Sequence, residues 1–247
     1  MIMGAKHNIL FLGASITQGR ISVSFVNTLK RTLDPKQYKF INQGIAGFES
    51  YNILKKIDKA INTNPDFVIL LGGTNDILSA LDTKLSRLSR KLKKIPHEPS
   101  TANFCKNIID IVQRLKQETQ AKIAIASLPV LGENLDSKEN RMVKEYNSEL
   151  KLISETENVF YLPVFEKQEI FLNQAIQGKG RDCINPSKMA FKSLAQHYLL
   201  FKNLDSISKK NGYILLTDGI HLNSIGSKFV SDEIELFIRN SKINTNS

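Results

Sequence analysis

A serine, an aspartate and a histidine in this 247-residue chain have the types and local surroundings that nucleophilic catalysis requires. Ser15 lies in Gly13-Ala-Ser15-Ile-Thr17, directly after an apolar run, where a buried strand would end in a tight turn that exposes the hydroxyl. His221 follows Asp218 by three residues in a Gly-containing turn. A serine hydroxyl needs an imidazole as base, and a carboxylate usually orients that imidazole. The three residues therefore indicate acyl-transfer chemistry, provided that the two ends of the chain meet.

The other three histidines are less suited to act as the base for Ser15. His7 precedes the first predicted strand, at the end remote from Ser15, and His97 lies between two prolines. His197 falls within a helical pattern, which is typical of a surface or packed residue. We therefore expect His221 to accept the proton of the serine.

Acyl transfer also requires donors that stabilise a developing oxyanion. Three groups can supply them: the backbone N–H groups of Ser15 and Gly44 and the side-chain amide of Asn75. Gly44 lies in Asn42-Gln-Gly-Ile-Ala-Gly47, and Asn75 lies in Gly72-Gly-Thr-Asn-Asp76. An asparagine amide donates hydrogen bonds without carrying charge, so it can lie beside the nucleophile without disturbing the titration of the histidine.

Short apolar runs alternate along the chain with segments whose apolar residues repeat at helical spacing. The runs lie at residues 9–12, 38–41, 67–71, 122–128 and 159–162. The helical segments lie at residues 22–33, 51–61, 81–95, 104–115, 138–155 and 187–203, and a closing helix begins at residue 223 or 224. This alternation predicts an α/β fold with parallel crossovers, whose functional loops gather at the carboxyl ends of the strands. Ser15, Gly44 and Asn75 all follow such ends.

The chain resembles the SGNH hydrolase superfamily, the GDSL-like esterases and lipases, in four short blocks. The blocks are Gly13-Ala-Ser-Ile-Thr17, Asn42-Gln-Gly-Ile-Ala-Gly47, Gly73-Thr-Asn-Asp76 and Asp218-Gly-Ile-His221-Leu-Asn. Each block is unspecific alone, but all four occur in the family's order across residues 13–223. The resemblance implies a flavodoxin-like three-layer α/β/α sandwich with a five-stranded parallel sheet. It also implies hydrolysis of carboxylic esters or thioesters with no cofactor and no metal.

The resemblance implies a role for each candidate residue, carried over position by position. Ser15 would be the nucleophile, His221 the base and Asp218 the residue that orients the base. Ser15, Gly44 and Asn75 would together form the oxyanion hole.

Two features depart from the family pattern. The family usually has an acidic residue before the serine, where this chain has Ala14. We expect this difference to affect the rigidity of the loop more than the chemistry. A longer insertion at about residues 163–211 lies outside the blocks; it is a natural place for a lid or a substrate-selecting wall, or it is structural padding.

Composition predicts one domain over residues 1–247, since a chain with 41% apolar residues can bury one large core. No apolar run approaches the length needed to cross a bilayer, and the N-terminus leaves no room for a signal sequence before the first strand. We therefore expect a soluble, cytoplasmic protein, or a secreted or periplasmic one if a leader was removed. Cys105 and Cys183 lack metal-ligand or Cys-x-x-Cys spacing, and we expect free thiols.

The net charge of +10 would attract anionic surfaces, although it can serve solubility alone. Residues 84–94 form a basic amphipathic segment after the Asn75 loop, close to the expected mouth of the site. They could contact an anionic surface or substrate, or be the solvated face of an ordinary packed helix. No nucleotide-binding glycine pattern occurs, so we expect no nucleotide cofactor. We also expect no nucleic-acid partner.

The hypothesis that these observations favour is a serine esterase acting on a small-molecule, lipid or carbohydrate ester. Candidate substrates are short-chain acyl or acetyl esters, lysophospholipids, thioesters and acetylated acidic polysaccharides. The alternatives are a non-catalytic flavodoxin-like binder of an anionic glycan or phosphorylated ligand, and an acyltransferase with the same triad. Neither the acyl chain length nor the oligomeric state follows from the sequence.

Overall fold

Parallel strands form the centre of the protein. The computed structural model describes residues 6–243, except the side chains of Leu85, Ser187, Lys242 and Ile243. The strands are β1 (His7–Gly13), β2 (Tyr38–Gly44), β3 (Phe67–Leu71), β4 (Lys122–Ala126) and β5 (Phe160–Leu162). They pair in parallel in the order β2-β1-β3-β4-β5, which is the order of flavodoxin-like sheets.

Burial on both faces explains why the central strands are continuous apolar runs. Residues 9–12 of β1 are at most 4% exposed, and every residue of β3 is buried. Helices cover both faces of a parallel sheet, so neither face of a central strand requires polar residues. The sheet order places β1 and β3 next to each other in the middle, which brings the loops that follow them together.

Helices form a layer on each face of the sheet. They are α1 (Ser15–Gln18), α2 (Phe25–Thr32), α3 (Ser50–Leu54), α4 (Ile57–Ile61), α5 (Thr74–Leu81), α6 (Thr83–Lys93), α7 (Thr101–Glu118), α8 (Lys138–Thr156), α9 (Val164–Ala175), α10 (Pro186–Tyr198), α11 (Leu204–Asn211) and α12 (Ser224–Ile243). Helix α12 packs against α2 and α9 in one layer, and α7 packs against α3, α4 and α8 in the other. The predicted three-layer α/β/α sandwich with a five-stranded parallel sheet is confirmed.

Three predicted segments differ from the observed helices. The single helix predicted over residues 51–61 is two short helices, α3 and α4, which break at the exposed Lys55 and Lys56. The segment predicted over residues 81–95 is observed as α6, and a separate helix that was not predicted, α5, precedes it from Thr74. Residues 163–211 contain α9 and α11 besides the predicted α10. The shorter of these helices, α3, α4, α5 and α11, contain too few apolar repeats to be recognised by periodicity, and contacts with the rest of the fold stabilise them.

No helix among residues 6–243 has both the length and the apolar content needed to cross a bilayer. The prediction that residues 1–247 form one domain includes the ends outside the described residues and stays a prediction.

Candidate active site

Ser15 lies at the carboxyl end of the central strand β1, as the first residue of α1. The turn before it requires glycine, because a Cβ atom on Gly13 would lie 2.1 Å from the carbonyl oxygen of Leu71 and 2.2 Å from Oγ1 of Thr17. β1 and β3 can therefore pair as far as Gly13, and the chain then turns sharply into α1. Ser15 is half-buried at the resulting edge.

Ala14, the residue before the serine, caps α1 without a side-chain hydrogen bond. Backbone contacts hold the turn instead. The N–H of Gln18 donates to the carbonyl oxygen of Ala14 over 2.9 Å. Asn42, from β2, donates its side-chain amide to the carbonyl oxygen of Thr17 over 2.7 Å. These bonds tie the turn to the neighbouring strand in the absence of an acidic side chain.

The structure brings the predicted serine, histidine and aspartate together. Nε2 of His221 lies 2.9 Å from Oγ of Ser15, and Nδ1 of His221 lies 2.8 Å from Oδ2 of Asp218. Asp218 is fully buried and His221 is 4% exposed. In this arrangement the carboxylate accepts from Nδ1–H and leaves Nε2 free to accept the serine proton.

A short hairpin holds His221 against the first loop of the chain. Leu216 and Leu222 form an antiparallel bridge across the turn that contains His221. Leu222 then joins the turn to the loop after α1, because its N–H donates to Oγ of Ser22 and its carbonyl oxygen accepts from the N–H of Val23. These contacts span about two hundred residues of sequence and fix the distance between the histidine and Ser15.

Glu133 anchors the segment that leads into this turn, residues 214–216. Its buried carboxylate accepts hydrogen bonds from the backbone N–H groups of Ile214, Leu215 and Leu216, at distances of 2.6–3.2 Å. Burial raises the pKa of Glu133, and these N–H groups together with the charge of Arg181 act in the opposite direction. Sequence reasoning missed this residue because nothing in the local sequence relates it to a segment eighty positions later.

Asn75 lies in the first turn of α5, beside the loop that follows β2. Its side-chain amide donates to the carbonyl oxygen of Phe48 over 2.8 Å. An amide nitrogen carries two hydrogens, so one donor remains for a ligand after this bond forms. The bond orients the Asn75 amide and holds the two loops together.

Gly44 does not fit the donor role predicted for it. Its N–H donates to Oδ1 of Asn42 over 2.9 Å, so the group is already engaged. A Cβ atom at this position would lie 2.3 Å from the backbone nitrogen of Gln18. Gly44 therefore allows β2 to approach α1 closely, and this packing explains the glycine without an oxyanion.

Gly47, three residues later in the same motif, has an N–H that no residue in the described part of the chain accepts. Its loop is fixed on both sides: the N–H of Ile45 donates to the carbonyl oxygen of Gly13, and Phe48 is held by Asn75. Nζ of Lys93 donates to the carbonyl oxygen of Gly47, and its pKa is lowered by burial. Gly47 has a φ angle of 75°, a left-handed conformation that glycine adopts readily. This conformation explains the second glycine of the motif.

Two buried acidic residues, Asp76 and Glu49, form hydrogen bonds that support the Gly47 loop. Asp76 accepts from the backbone N–H of Ser50 over 2.9 Å and from its hydroxyl over 2.5 Å. Glu49 accepts from the hydroxyls of Ser79 and Ser89 over 2.8 and 2.5 Å. Burial raises the pKa of Asp76 to about 7, an effect that the Ser50 hydrogen bonds oppose and the nearby Glu49 reinforces. The network joins α3, α5 and α6 beneath Gly47 and Asn75.

The other three histidines lie in different surroundings. His7 contacts Asp66 over 3.3 Å before the main run of β1, at the edge opposite Ser15. His197 contacts the carbonyl oxygen of Lys202 over 2.8 Å at the end of α10. His97 packs its ring against an aromatic side chain of α3.

Comparisons with known proteins identify the family of the chain. The chain matches the model of the GDSL-like Lipase/Acylhydrolase family over residues 11–229. No curated protein matches the chain. Among solved structures, the acetyl xylan esterase AlAXEase is 20% identical, with a TM-score of 0.62 over 94% of this chain and 99% of that one. Axe2, an acetylxylan esterase from Geobacillus stearothermophilus, is 16% identical, with a TM-score of 0.64 over 95% of this chain and 94% of that one. A GDSL-like lipase from Bacteroides thetaiotaomicron is 16% identical, with a TM-score of 0.61 over 98% of this chain and 93% of that one.

At these identities the solved structures establish the fold, whereas the family model spans most of the sequence and includes both distant ends of the site. The chain therefore belongs to the GDSL-like lipase/acylhydrolase family and is a carboxylic ester hydrolase.

Proposed function

We propose that the hydrolase works through Ser15 as nucleophile, His221 as general base and acid, and Asp218 as the residue that orients the histidine. The observation that carries this proposal is the pair of contacts, 2.9 Å from Ser15 Oγ to His221 Nε2 and 2.8 Å from His221 Nδ1 to Asp218 Oδ2. Both distances are within hydrogen-bond reach, as proton transfer requires.

In the proposed reaction, Ser15 Oγ attacks the ester carbonyl carbon while His221 Nε2 takes the hydroxyl proton. Collapse of the tetrahedral intermediate breaks the bond to the alcohol, which leaves with that proton. Water then attacks the acyl-serine, again losing a proton to His221, and the carboxylic acid is released as Ser15 is restored. Asp218 stabilises the imidazolium at both stages.

For the oxyanion hole we propose the N–H of Ser15, the side-chain amide of Asn75 and the N–H of Gly47, which replaces Gly44. No described residue accepts from the N–H of Ser15 or of Gly47, and Asn75 retains one donor. The contacts of Ile45 and Phe48 hold the Gly47 loop between the end of β1 and Asn75. Preorganised donors of this kind stabilise negative charge that develops only in the transition state.

Catalytic mutants of one similar esterase support the choice of these three residues. Variants of the Geobacillus stearothermophilus enzyme that are described as catalytic mutants replace one serine, one aspartate or one histidine by alanine. The aspartate and histidine there are three positions apart, as are Asp218 and His221 here. Because the similar structures are acetyl xylan esterases, we propose acetyl esters on a carbohydrate as one substrate class, beside lysophospholipids, thioesters and short-chain acyl esters.

Replacing Ser15 by alanine tests the proposal directly. We expect turnover of an aryl acetate to fall by about 10⁴-fold or more and labelling by a fluorophosphonate probe to disappear, with the circular dichroism spectrum unchanged. Near-full hydrolysis by Ser15→Ala would contradict the assignment.

A series of aryl esters that differ only in acyl length would then define the substrate class. Addition of an alcohol acceptor to the same assay distinguishes hydrolysis, which yields the acid, from acyl transfer, which yields a new ester.

A further inference from the structure

An exposed apolar tip, defined here as residues 198–201, ends helix α10. Leu199 is 74% exposed, Leu200 61% and Phe201 91%. Three consecutive large apolar side chains at this exposure are unusual, because folding normally buries such residues or leaves them singly on the surface. This exposure indicates a binding surface, where a partner would remove the tip from water.

The tip is held at the rim of the candidate active site. The hydroxyl of Tyr198 donates to the carbonyl oxygen of Arg20 over 3.2 Å, and Arg20 follows the short helix that begins at Ser15. The ring of His197 contacts the carbonyl oxygen of Lys202 over 2.8 Å, which folds the segment back after the helix. Leu199, Leu200 and Phe201 thus project from an anchored segment that borders the Ser15 loop.

The segment that carries the tip has only positively charged ionisable side chains. Residues 184–203 contain no aspartate or glutamate, and their lysines, Lys188, Lys192 and Lys202, are exposed. Helix α6 also contains no aspartate or glutamate, and its Lys93 contacts Gly47. Its exposed residues include Lys84, Arg87, Leu88, Lys91 and Leu92.

These charges decide between the possible occupants. A symmetric second copy would place the same surface against itself and bring lysines together, which like-charge repulsion opposes. A nucleic acid would satisfy the lysines but offers little to aliphatic leucines, since its bases stack on aromatic or guanidinium planes. An anionic lipid surface satisfies both, because hydrocarbon receives the apolar side chains and phosphate groups receive the cations.

We propose that the apolar tip and the basic residues beside it dock this protein on anionic phospholipid surfaces, with the Ser15 site facing the interface. Docking depends on the tip and the surrounding charges, whereas action on a lipid ester at that interface also rests on the proposed function of Ser15. The interface would present lipid esters, such as lysophospholipids, directly at the site.

Co-sedimentation with vesicles tests the proposal. The full chain carrying Ser15→Ala is mixed with vesicles of phosphatidylcholine alone or of phosphatidylcholine with phosphatidylserine. We expect binding to the anionic vesicles only, weakened by added NaCl. Adding Leu200→Ser with Phe201→Ser should reduce the binding constant by about tenfold to a hundredfold or more, since each buried side chain contributes a large apolar transfer term.

Leu152→Ser provides a matched control. Leu152 is 57% exposed and lies near the end of α8 that leads into β5. It is therefore at the end of the sheet where the strands begin, whereas Ser15 is at the end where they finish. We expect it to leave vesicle binding unchanged. The proposal is overturned if the chain does not sediment with anionic vesicles, if the tip variant binds as tightly as its parent, or if Leu152→Ser weakens binding as much as the tip variant.

Two further measurements separate the causes of failure. If analytical ultracentrifugation shows a dimer that Leu200→Ser with Phe201→Ser abolishes, and no vesicle binding occurs, the tip is an interface between copies and the proposal is wrong. With Ser15 intact, the tip variant should hydrolyse a water-soluble aryl acetate at the parental rate. Loss of aryl acetate hydrolysis in Ser15→Ala with vesicle binding retained would support both proposals independently.

Discussion

Asp218 uses both of its carboxylate oxygens within its own turn. Oδ1 accepts from the backbone N–H groups of Ile220 and His221 at 3.0 and 2.9 Å, and Oδ2 accepts from the ring of His221. One side chain thus shapes the turn and selects the imidazole tautomer. The two tasks can be separated, because they use different oxygens.

We predict that Asp218→Asn retains the turn but loses about 10⁴-fold in kcat. The asparagine oxygen can still accept from the backbone, whereas its NH₂ group cannot accept from Nδ1–H of His221, so the imidazole would adopt the wrong tautomer. Aryl acetate kinetics measure the effect, and thermal unfolding checks the fold. A loss in kcat of less than tenfold would show that the carboxylate does not orient the base.

Gly44 and Gly47 show where residue-level reasoning from sequence ended. Both glycines lie in one motif after one strand, and either could present an N–H to an oxyanion. The distinction depends on the Asn42 side chain, which returns to the N–H of Gly44, and on the Lys93 contact with Gly47. The Asn42 contact spans only two residues, but the residue types alone do not show that the side chain folds back onto the N–H of Gly44. Lys93 comes from a helix that is distant in sequence.

At the scale of elements, the positions of the site loops depend on buried polar contacts as well as on apolar packing. Asp76 of α5 receives Ser50 at the start of α3, and the hydroxyl of Ser50 in turn accepts from Asn107 of α7 over 3.0 Å. These bonds hold α3 and α5 in one arrangement, and with them the Gly47 and Asn75 loops. Such a network is costly when a member is lost, since the others remain buried.

We predict that Asp76 makes the protein less stable as pH rises. Its pKa, about 7 in the folded state, exceeds the ordinary value of 3.8, so the native state holds a proton that the unfolded state releases. The contribution of the protonated Asp76 to the free energy of unfolding is fully present below pH 4. It is lost as the pH rises through 7, and the total loss is up to about 4 kcal/mol. Urea unfolding between pH 4 and 8 measures it. In Asp76→Asn this component of the pH dependence should vanish, and an unchanged slope would assign it to another group.

Glu133 is the buried acidic residue that holds the hairpin carrying His221. We predict that Glu133→Gln lowers the free energy of unfolding by about 1–3 kcal/mol. A glutamine offers one acceptor oxygen to three backbone N–H groups and places its own donors among them. Because the hairpin positions His221, kcat should fall more than KM rises.

Glu155→Gln, an exposed site on α8, is the matched control for this prediction and should change neither quantity. If Glu133→Gln destabilised the protein while kcat kept its wild-type value, Glu133 would be a structural residue with no positioning role.

At the scale of the whole molecule, the charge of +10 predicts how the enzyme responds to salt. For an ester with an anionic leaving group, kcat/KM should fall as NaCl rises, whereas that of a neutral ester should not, because screening weakens only the attraction of charged substrates. Lys84→Glu with Lys91→Glu, on α6 beside the site, should lower kcat/KM for the anionic ester and reduce its salt dependence.

The control for this prediction makes the same net change elsewhere. Lys30 and Lys36 lie in the connection that leads back to the start of β2, at the sheet edge opposite Ser15. If Lys30→Glu with Lys36→Glu had as large an effect as the α6 variant, net charge alone would explain the attraction.

The sequence by itself determined the fold class, the family and the three triad candidates. Buried parallel strands are continuous apolar runs, the glycine-rich turns that end them are visible, and Asp218 and His221 are local neighbours. Only the tertiary structure decided that Gly47 rather than Gly44 has the unengaged N–H, that Glu133 anchors the hairpin, and that the apolar tip of α10 borders Ser15. For Glu133 and the apolar tip the physical reason is the range of the interactions: strand burial and turn chemistry leave a record within a few residues, whereas a hydrogen bond between segments far apart in sequence leaves none in either segment alone. For the two glycines the reason is the conformation of the Asn42 side chain, which the local residue types leave open.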